Sequence, residues 1–340
     1  MNEFLSRRDY MELSREVKAL FDRQSYLQAH GWELLIFGAR ALLFAFGYAV
    51  CCRFEQGGRA AGILVMAYAY YGIAITGVHE ASHKSFVGTA AANKRWLSFF
   101  SDFWSAQSGE WWHERHVILH HVHTNVPGKD PPLFVYPWLN KYLYFFVTPF
   151  LVSFWLVYHS VEFLLEKGIS PVRYLALAAA GWAFFIALFA HLMPLGPAVL
   201  TAFVMRSLFA PVFMHLAAFN HIGLENPSRR AAWLPHQTKT TRNLKPHWFL
   251  SGMGGNAFVE SHLEHHLFPA LSNRLLARVR PLVLGFLDQK GYEYVEVPYW
   301  DCLKESLRFY DDFFALDSQS AVPAFSSRRS SAVMPSGSKR

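Results

Sequence analysis

Three short segments of this 340-residue chain concentrate imidazole groups: His79-Glu-Ala-Ser-His83, His116-Val-Ile-Leu-His120-His121 and His262-Leu-Glu-His265-His266. Imidazole nitrogen binds zinc, copper, iron and nickel. Residues four apart share a helix face, so His79 with His83, and His116 with His120, are each expected to grip one ion. His262 and His265 are three apart and share a face as well. His121 and His266 point about 100° away and reach toward a second ion. One tetrahedral zinc takes at most four protein ligands. Eight clustered imidazoles overfill it and point to two metal ions.

The core His79-Glu80-x-x-His83 also matches the zinc-peptidase signature, in which Glu80 would be the general base. A peptidase needs only one more ligand, commonly a carboxylate, and leaves the other two clusters unexplained. Isolated histidines (His30, His159, His191, His236, His247) read as ordinary core or surface groups. An all-imidazole shell is neutral, and nearby carboxylates would offset the metal charge and orient the rings by accepting their second N–H bonds. Glu80, Glu110, Asp130 and Glu264 are the candidates.

The elements that position these groups are membrane helices. Charged residues make up 17% and aromatics 17% of the chain, and mean hydropathy is positive, unusual for a soluble domain of this size. The net charge of +7 lies in segments flanking apolar runs and in the C-terminal tail, with no basic-aromatic motif for nucleic acid. Cys51, Cys52 and Cys302 are too few and badly placed for a disulfide framework or a thiolate metal site.

About 20 apolar residues of helix cross a bilayer, and four runs qualify: Leu34–Cys52, Ala60–Val78, Val172–Met193 and Ala198–Asn220. A fifth, Tyr142–Val161, contains Pro149. The second and third clusters share one membrane face only if an even number of crossings separates them, so this fifth run is expected to be interfacial or re-entrant. The connection 166–173 carries Lys167 and Arg173, whereas 194–197 is uncharged. By the positive-inside tendency, both termini and all three clusters then face the cytosol, in a bacterial inner membrane or the endoplasmic reticulum. Arg40 lies near a span end and is expected to snorkel; Arg206 is deeper and is expected to face the bundle. Tyr10, Leu13, Val17, Leu20 and Phe21 recur at helical spacing, suiting an amphipathic helix on the membrane surface. Residues 1–33 lack the apolar core of a secretory signal.

The chain resembles the membrane fatty acid desaturase and hydroxylase superfamily, whose hallmark is three His boxes, from about residue 34 to 300. "WWHERHVILHHVHTNVPGKDPP" is similar to its second-box region, with Asn125, Gly128 and Asp130 in familiar places. "ESHLEHHLFPAL" resembles the third box, and the upstream "QTKTTRN" resembles a stretch seen in acyl desaturases. The resemblance implies an all-α integral membrane protein of about four transmembrane helices, with a cytosolic helical cap carrying a His-rich dimetal site. The expected organisation is an interfacial segment 1–33, a desaturase-like domain 34–300, a short helix 301–316 and a disordered basic tail 317–340.

The resemblance further implies two non-haem iron ions (Fe2+) on His79, His83, His116, His120, His121, His262, His265 and His266. A further ligand is implied at the end of the last span, where His221 is preferred to the more deeply buried His215. His113 and His123 read as supporting or surface groups. Glu80, Asp130, Glu264, Asn125 and Asn256 are expected to support the ligands, with Asn220 a further water-mediated partner. The implied reaction is dioxygen-dependent removal of two hydrogens from adjacent methylenes of an acyl chain, the same abstraction that begins hydroxylation or alkyne formation. Tyr70, Tyr71, Trp104, Trp111, Trp112 and Phe258 are candidates to line its tunnel. The acyl group would be carried by coenzyme A, a carrier protein or a lipid. His262 stands where front-end desaturases often carry Gln. With no His-Pro-Gly-Gly signature in these residues, electrons are expected from a separate donor of ferredoxin or cytochrome b5 type.

Overall fold

The apolar stripe near the N-terminus does form a helix, α1 (Glu3–Ala19), and the middle of the stripe packs against protein, whereas Leu20 just beyond the helix is exposed. Leu13 and Val17 are buried in a cluster with Leu234, Leu263, Leu267, Val279 and Val283. The Tyr10 hydroxyl donates to the Leu267 carbonyl at 3.0 Å. Burial against apolar side chains satisfies such a stripe as well as a bilayer does, and sequence pattern alone does not separate the two. The structure is a computed structural model, describing residues 3–22, 24–130 and 139–319.

Ser25 caps α2 (Tyr26–Arg53): its hydroxyl accepts from the Gln28 amide, and the Gln28 side chain accepts from the Ser25 amide. The helix therefore begins before the apolar run does. Against it lies α3 (Gln56–Ser82), the most enclosed of the long apolar helices. Gly47 and Gly62 make the close approach possible. A Cβ at Gly47 would come 2.8 Å from the Gly62 oxygen, and one at Gly62 would come 2.6 Å from the Gly47 oxygen. Small residues at such a crossing are the usual route to tight packing between apolar helices in a membrane. Arg40 does not snorkel. Its guanidinium is satisfied inside, by the Thr76 hydroxyl at 2.5 Å and the Gly252 carbonyl at 2.6 Å.

Helix α4 (Ala90–Ser98) runs into a π-helical stretch, Phe99–Ser105. There Trp104 and Tyr70 exchange hydrogen bonds: the indole donates to the Tyr70 carbonyl and the phenol to the Trp104 carbonyl, at 3.2 and 3.3 Å. After α5 (Gly109–Trp112) a second π-helical segment, His113–His120, leads into α6 (His121–His123). The fifth apolar run is broken: π-helical over Leu143–Val147, 3-10 over Thr148–Leu151 around Pro149, then α7 (Val152–Glu166). It is nonetheless long and apolar enough to span, so among the described residues five helical runs meet that criterion: Tyr26–Arg53, Gln56–Ser82, Leu143–Glu166, Val172–Ala190 and Leu195–Phe219.

The fourth of these runs is α8 (Val172–Ala190); the fifth divides into α9 (Leu195–Ser207) and α10 (Ala210–Phe219), with Pro211 just inside the start of α10. Beyond them lie α11 (Trp233–Thr240), α12 (Trp248–Gly254), α13 (His262–Leu267), α14 (Asn273–Lys290) and α15 (Tyr299–Gln319). The expected 301–316 helix is thus longer at both ends, and the tail from 320 lies outside the described residues. Two two-residue strands, β1 (Asn243–Leu244) and β2 (Glu296–Val297), pair in parallel and tie α11 to α15.

Candidate metal centre

Nine histidines converge into two groups, and in each group one nitrogen from every ring lies within 4.8 Å of the others. The first holds His79, His83, His116, His121 and His265; the second holds His120, His221, His262 and His266. In the first, Nε2 of His265 stands 2.9 Å from Nε2 of His79 and 3.0 Å from that of His121, and the His121 and His116 Nε2 atoms are 3.3 Å apart. Two nitrogens held about 2.0–2.1 Å from one ion at angles of about 90–110° would stand about 2.9–3.4 Å apart. The observed separations fit that range.

The second group reveals its tautomers. Nδ1 of His120 donates to Asp130 at 3.0 Å, of His221 to the Thr240 carbonyl at 2.9 Å, of His262 to the Ala257 carbonyl at 2.6 Å, and of His266 to Gln237 Oε1 at 3.0 Å. These oxygens only accept, so each Nδ1 carries the proton and each Nε2 presents a lone pair. Two of those lone pairs, on His221 and His262, face each other at 2.8 Å. Such an arrangement is repulsive unless a cation lies between them. Burial, then the neighbouring imidazoles, hold His116, His121, His265 and His266 well below the usual imidazole range. Burial above all lowers His83 and His262 to about 3. Neutral rings are the form that binds metal.

The partition differs from the one expected at helical spacing. His116 and His120 are separated, and His116 pairs instead with His121, five residues on. The cause is the π-helical segment, in which the His121 amide bonds to the His116 carbonyl; the wider turn aligns i with i+5 rather than i+4. In α13, His262 and His266 share the second group while His265 turns to the first.

Of the four carboxylates expected to orient rings, Asp130 meets one. Its second oxygen accepts from the Asn125 amide at 2.7 Å. Glu80 accepts instead from the amide and side chain of Asn273, and Glu264 from Asn243 and Tyr294. Burial pushes the Glu264 carboxyl up to about 7. Glu110 is exposed. Asn125 donates to the His221 carbonyl, Asn256 to the Asn273 carbonyl, and Asn220 to the Leu216 and Phe258 carbonyls, so all three brace backbone rather than rings. His113 and His123 join neither group. His215 is engaged elsewhere, with the Tyr299 hydroxyl and the Phe145 carbonyl. His30 meets the Ser85 carbonyl and His159 meets Glu162; His191 and His247 are exposed, and His236 is buried outside both groups.

Sequence reasoning assigned no role to Gln237, Thr240 or Ala257. The first two lie in "QTKTTRN", a visible signal without a visible role. Gln237 also donates to the His121 carbonyl at 2.9 Å, linking the second cluster to the third. Ala257 acts through its carbonyl, which no side-chain pattern announces.

A narrow, partly open cleft adjoins the first group. Tyr70, Tyr71, Trp112 and Phe258 line it, but Trp104 and Trp111 do not. Trp112 stacks on His116 with centroids 4.5 Å apart, and Phe258 lies 4.7 Å from His79. The walls are otherwise mainly apolar, with Ala74, Ile75 and Val78 from α3.

The family model for fatty acid desaturase matches residues 58–298. The chain is 30% identical over 310 residues to fatty acid desaturase 6 of Mus musculus, covering 89% of this chain and 90% of that protein. It is 31% identical over 320 residues to fatty acid desaturase 6 of Homo sapiens, covering 89% and 87%. Acyl-lipid 8-desaturase of Rebecca salina is 28% identical over 279 residues, covering 73% of this chain and 62% of that protein.

Proposed function

Given that the chain belongs to the fatty acid desaturase family, a family of membrane oxidoreductases acting on acyl chains, we propose that its two imidazole groups hold a pair of non-haem irons. The observation that carries this is the convergence of four Nε2 lone pairs in the second group, each fixed by a bond at Nδ1. Four imidazoles there and five in the first group are more than one ion uses. Iron bound in both would supply dioxygen activation and removal of hydrogen from an unactivated chain, with electrons from a separate donor of ferredoxin or cytochrome b5 type.

The protein's own contribution is position. Asp130, Gln237 and the Thr240 and Ala257 carbonyls lock ring orientation, so the ligand atoms do not reorganise when charge changes. Trp112 and Phe258 pack against His116 and His79, screening the first group from the apolar cleft while leaving a chain in that cleft close to it. We read the cleft as the place where the acyl chain lies. Holding its methylenes to within about 1 Å of the reactive position decides which C–H bonds are broken and so where the double bond forms.

The same convergence bears on topology. The His116–His121 segment precedes, and the His262–His266 segment follows, three of the five apolar runs. An even number of crossings between them leaves Leu143–Glu166, interrupted at Pro149, as the run that does not fully cross. Four crossings then leave both termini on the side of the site, and Lys167 and Arg173 around the start of α8 favour the cytosol for that side.

Metal analysis of the purified protein tests the reading. Iron near two per chain, together with an unsaturated acyl product detected by mass spectrometry in a host lacking the activity, is the expected result. A single zinc per chain would refute it in favour of a peptidase.

A further inference from the structure

Arg206 is fully buried, and its Nε, Nη1 and Nη2 have no hydrogen-bond partner among the described residues. Its guanidinium sits 3.9 Å from the centroid of Trp182, 5.1 Å from Phe185 and 5.6 Å from Tyr70. Those ring faces offset part of the charge, but they accept none of the in-plane N–H bonds, and arginine does not shed its proton. A buried cation with its donors unused is costly unless something supplies acceptors. The residue lines the cleft, and so does Gln107, whose Nε2 is likewise buried without a partner. The cleft wall therefore offers several unused donors in a mainly apolar space.

Its location along the cleft is defined by α3. The Tyr71 hydroxyl donates to the Arg206 carbonyl at 2.7 Å, and Tyr70 lies beneath the guanidinium. Tyr71 precedes His79 by two helical turns, about 12 Å at 1.5 Å per residue. The Arg206 guanidinium thus stands at the end of the cleft away from the metal ligands.

We propose that Arg206 and Gln107 form an anchor for a carboxylate at the deep end of the cleft, so that the preferred occupant is an acyl chain carrying a carboxylate remote from the metal centre. Two sources supply that chemistry: a free fatty acid entering carboxylate first, or an acyl group whose far end is itself a carboxylate. Either way the position of reaction is counted from Arg206. This rests on reading the cleft as the acyl channel.

Binding to the purified full-length protein, measured by Trp fluorescence in detergent, tests it with three probes: octadecanoic acid, its methyl ester, and octadecanedioic acid esterified at one end to a bulky polar head. At least one carboxylate probe is expected to bind about tenfold or more tightly than the methyl ester, as the loss of a charge-assisted hydrogen bond implies. Preference for the free acid identifies carboxylate-first entry; preference for the half-ester identifies the far-end carboxylate. Arg206→Met should remove the preference while methyl-ester binding persists, and Arg206→Lys should restore part of it. Equal binding of all three probes to the unaltered protein overturns the proposal, even if Arg206→Met fails to fold. So does a preference that survives in Arg206→Met. Iron content is read separately: an iron-loaded protein indifferent to the carboxylate loses only the anchor, whereas a protein without iron loses the functional reading itself.

Discussion

Asp130→Asn should weaken one metal ion and spare the other. Asp130 spends one oxygen on the His120 ring at 3.0 Å and the other on the Asn125 amide at 2.7 Å. The amide of Asn keeps the shape but offers one acceptor where two are used, and it removes the negative charge beside the ring. His120 is one of four imidazoles in the second group, and none of the five in the first touches Asp130. Loss of a group that orients a metal-bound histidine costs about 10–100-fold in metal affinity, or about 1.4–2.7 kcal/mol. Iron retained per chain, followed through a graded chelator titration, should therefore change from a single late loss to two steps. The early step should account for half the iron and come at about 10–100-fold lower chelator. Both ions leaving together, or a curve like that of the unaltered protein, would refute the partition of the histidines.

Other perturbations probe the same architecture. His120→Ala and His265→Ala should each abolish double-bond formation and lower the iron content while the protein remains in the membrane; His236→Ala should keep its iron, since that ring joins neither group. Gly181→Ala should lower the melting temperature, because a Cβ there would overlap the Phe103 carbonyl oxygen. Forcing apart such a contact costs about 1–3 kcal/mol. Cys302 is buried, with its thiol pushed up to about 11 by that burial, so a thiol-alkylating reagent should modify exposed Cys52 first and reach Cys302 only on unfolding.

The three imidazole clusters, the long apolar helices and the bundle-facing Arg206 were legible because each depends on residue type and short-range spacing. The division of ligands was not. It turns on one π-helical segment, in which the peptide bonding shifts by a residue and exchanges the partners of His120 and His121. Nothing in "HERHVILH" distinguishes that winding from an α-helix. The ring anchors were only half visible, since two of the four are backbone carbonyls. Helix α1 shows the converse problem: its stripe is plainly apolar in the sequence, but whether lipid or protein covers it depends on α11, α13 and α14, far along the chain.

Both imidazole groups draw members from α13, and His262 is held by a carbonyl only five residues before it. On one side Glu80 reaches Asn273, whose side chain accepts from the Ala257 amide. A chain emerging from the ribosome can thus have every apolar run in the bilayer and still be unable to retain metal. The centre comes into being only after residue 273 is made, which places metal loading as a late event of biogenesis and makes a truncated, fully inserted protein an inert one.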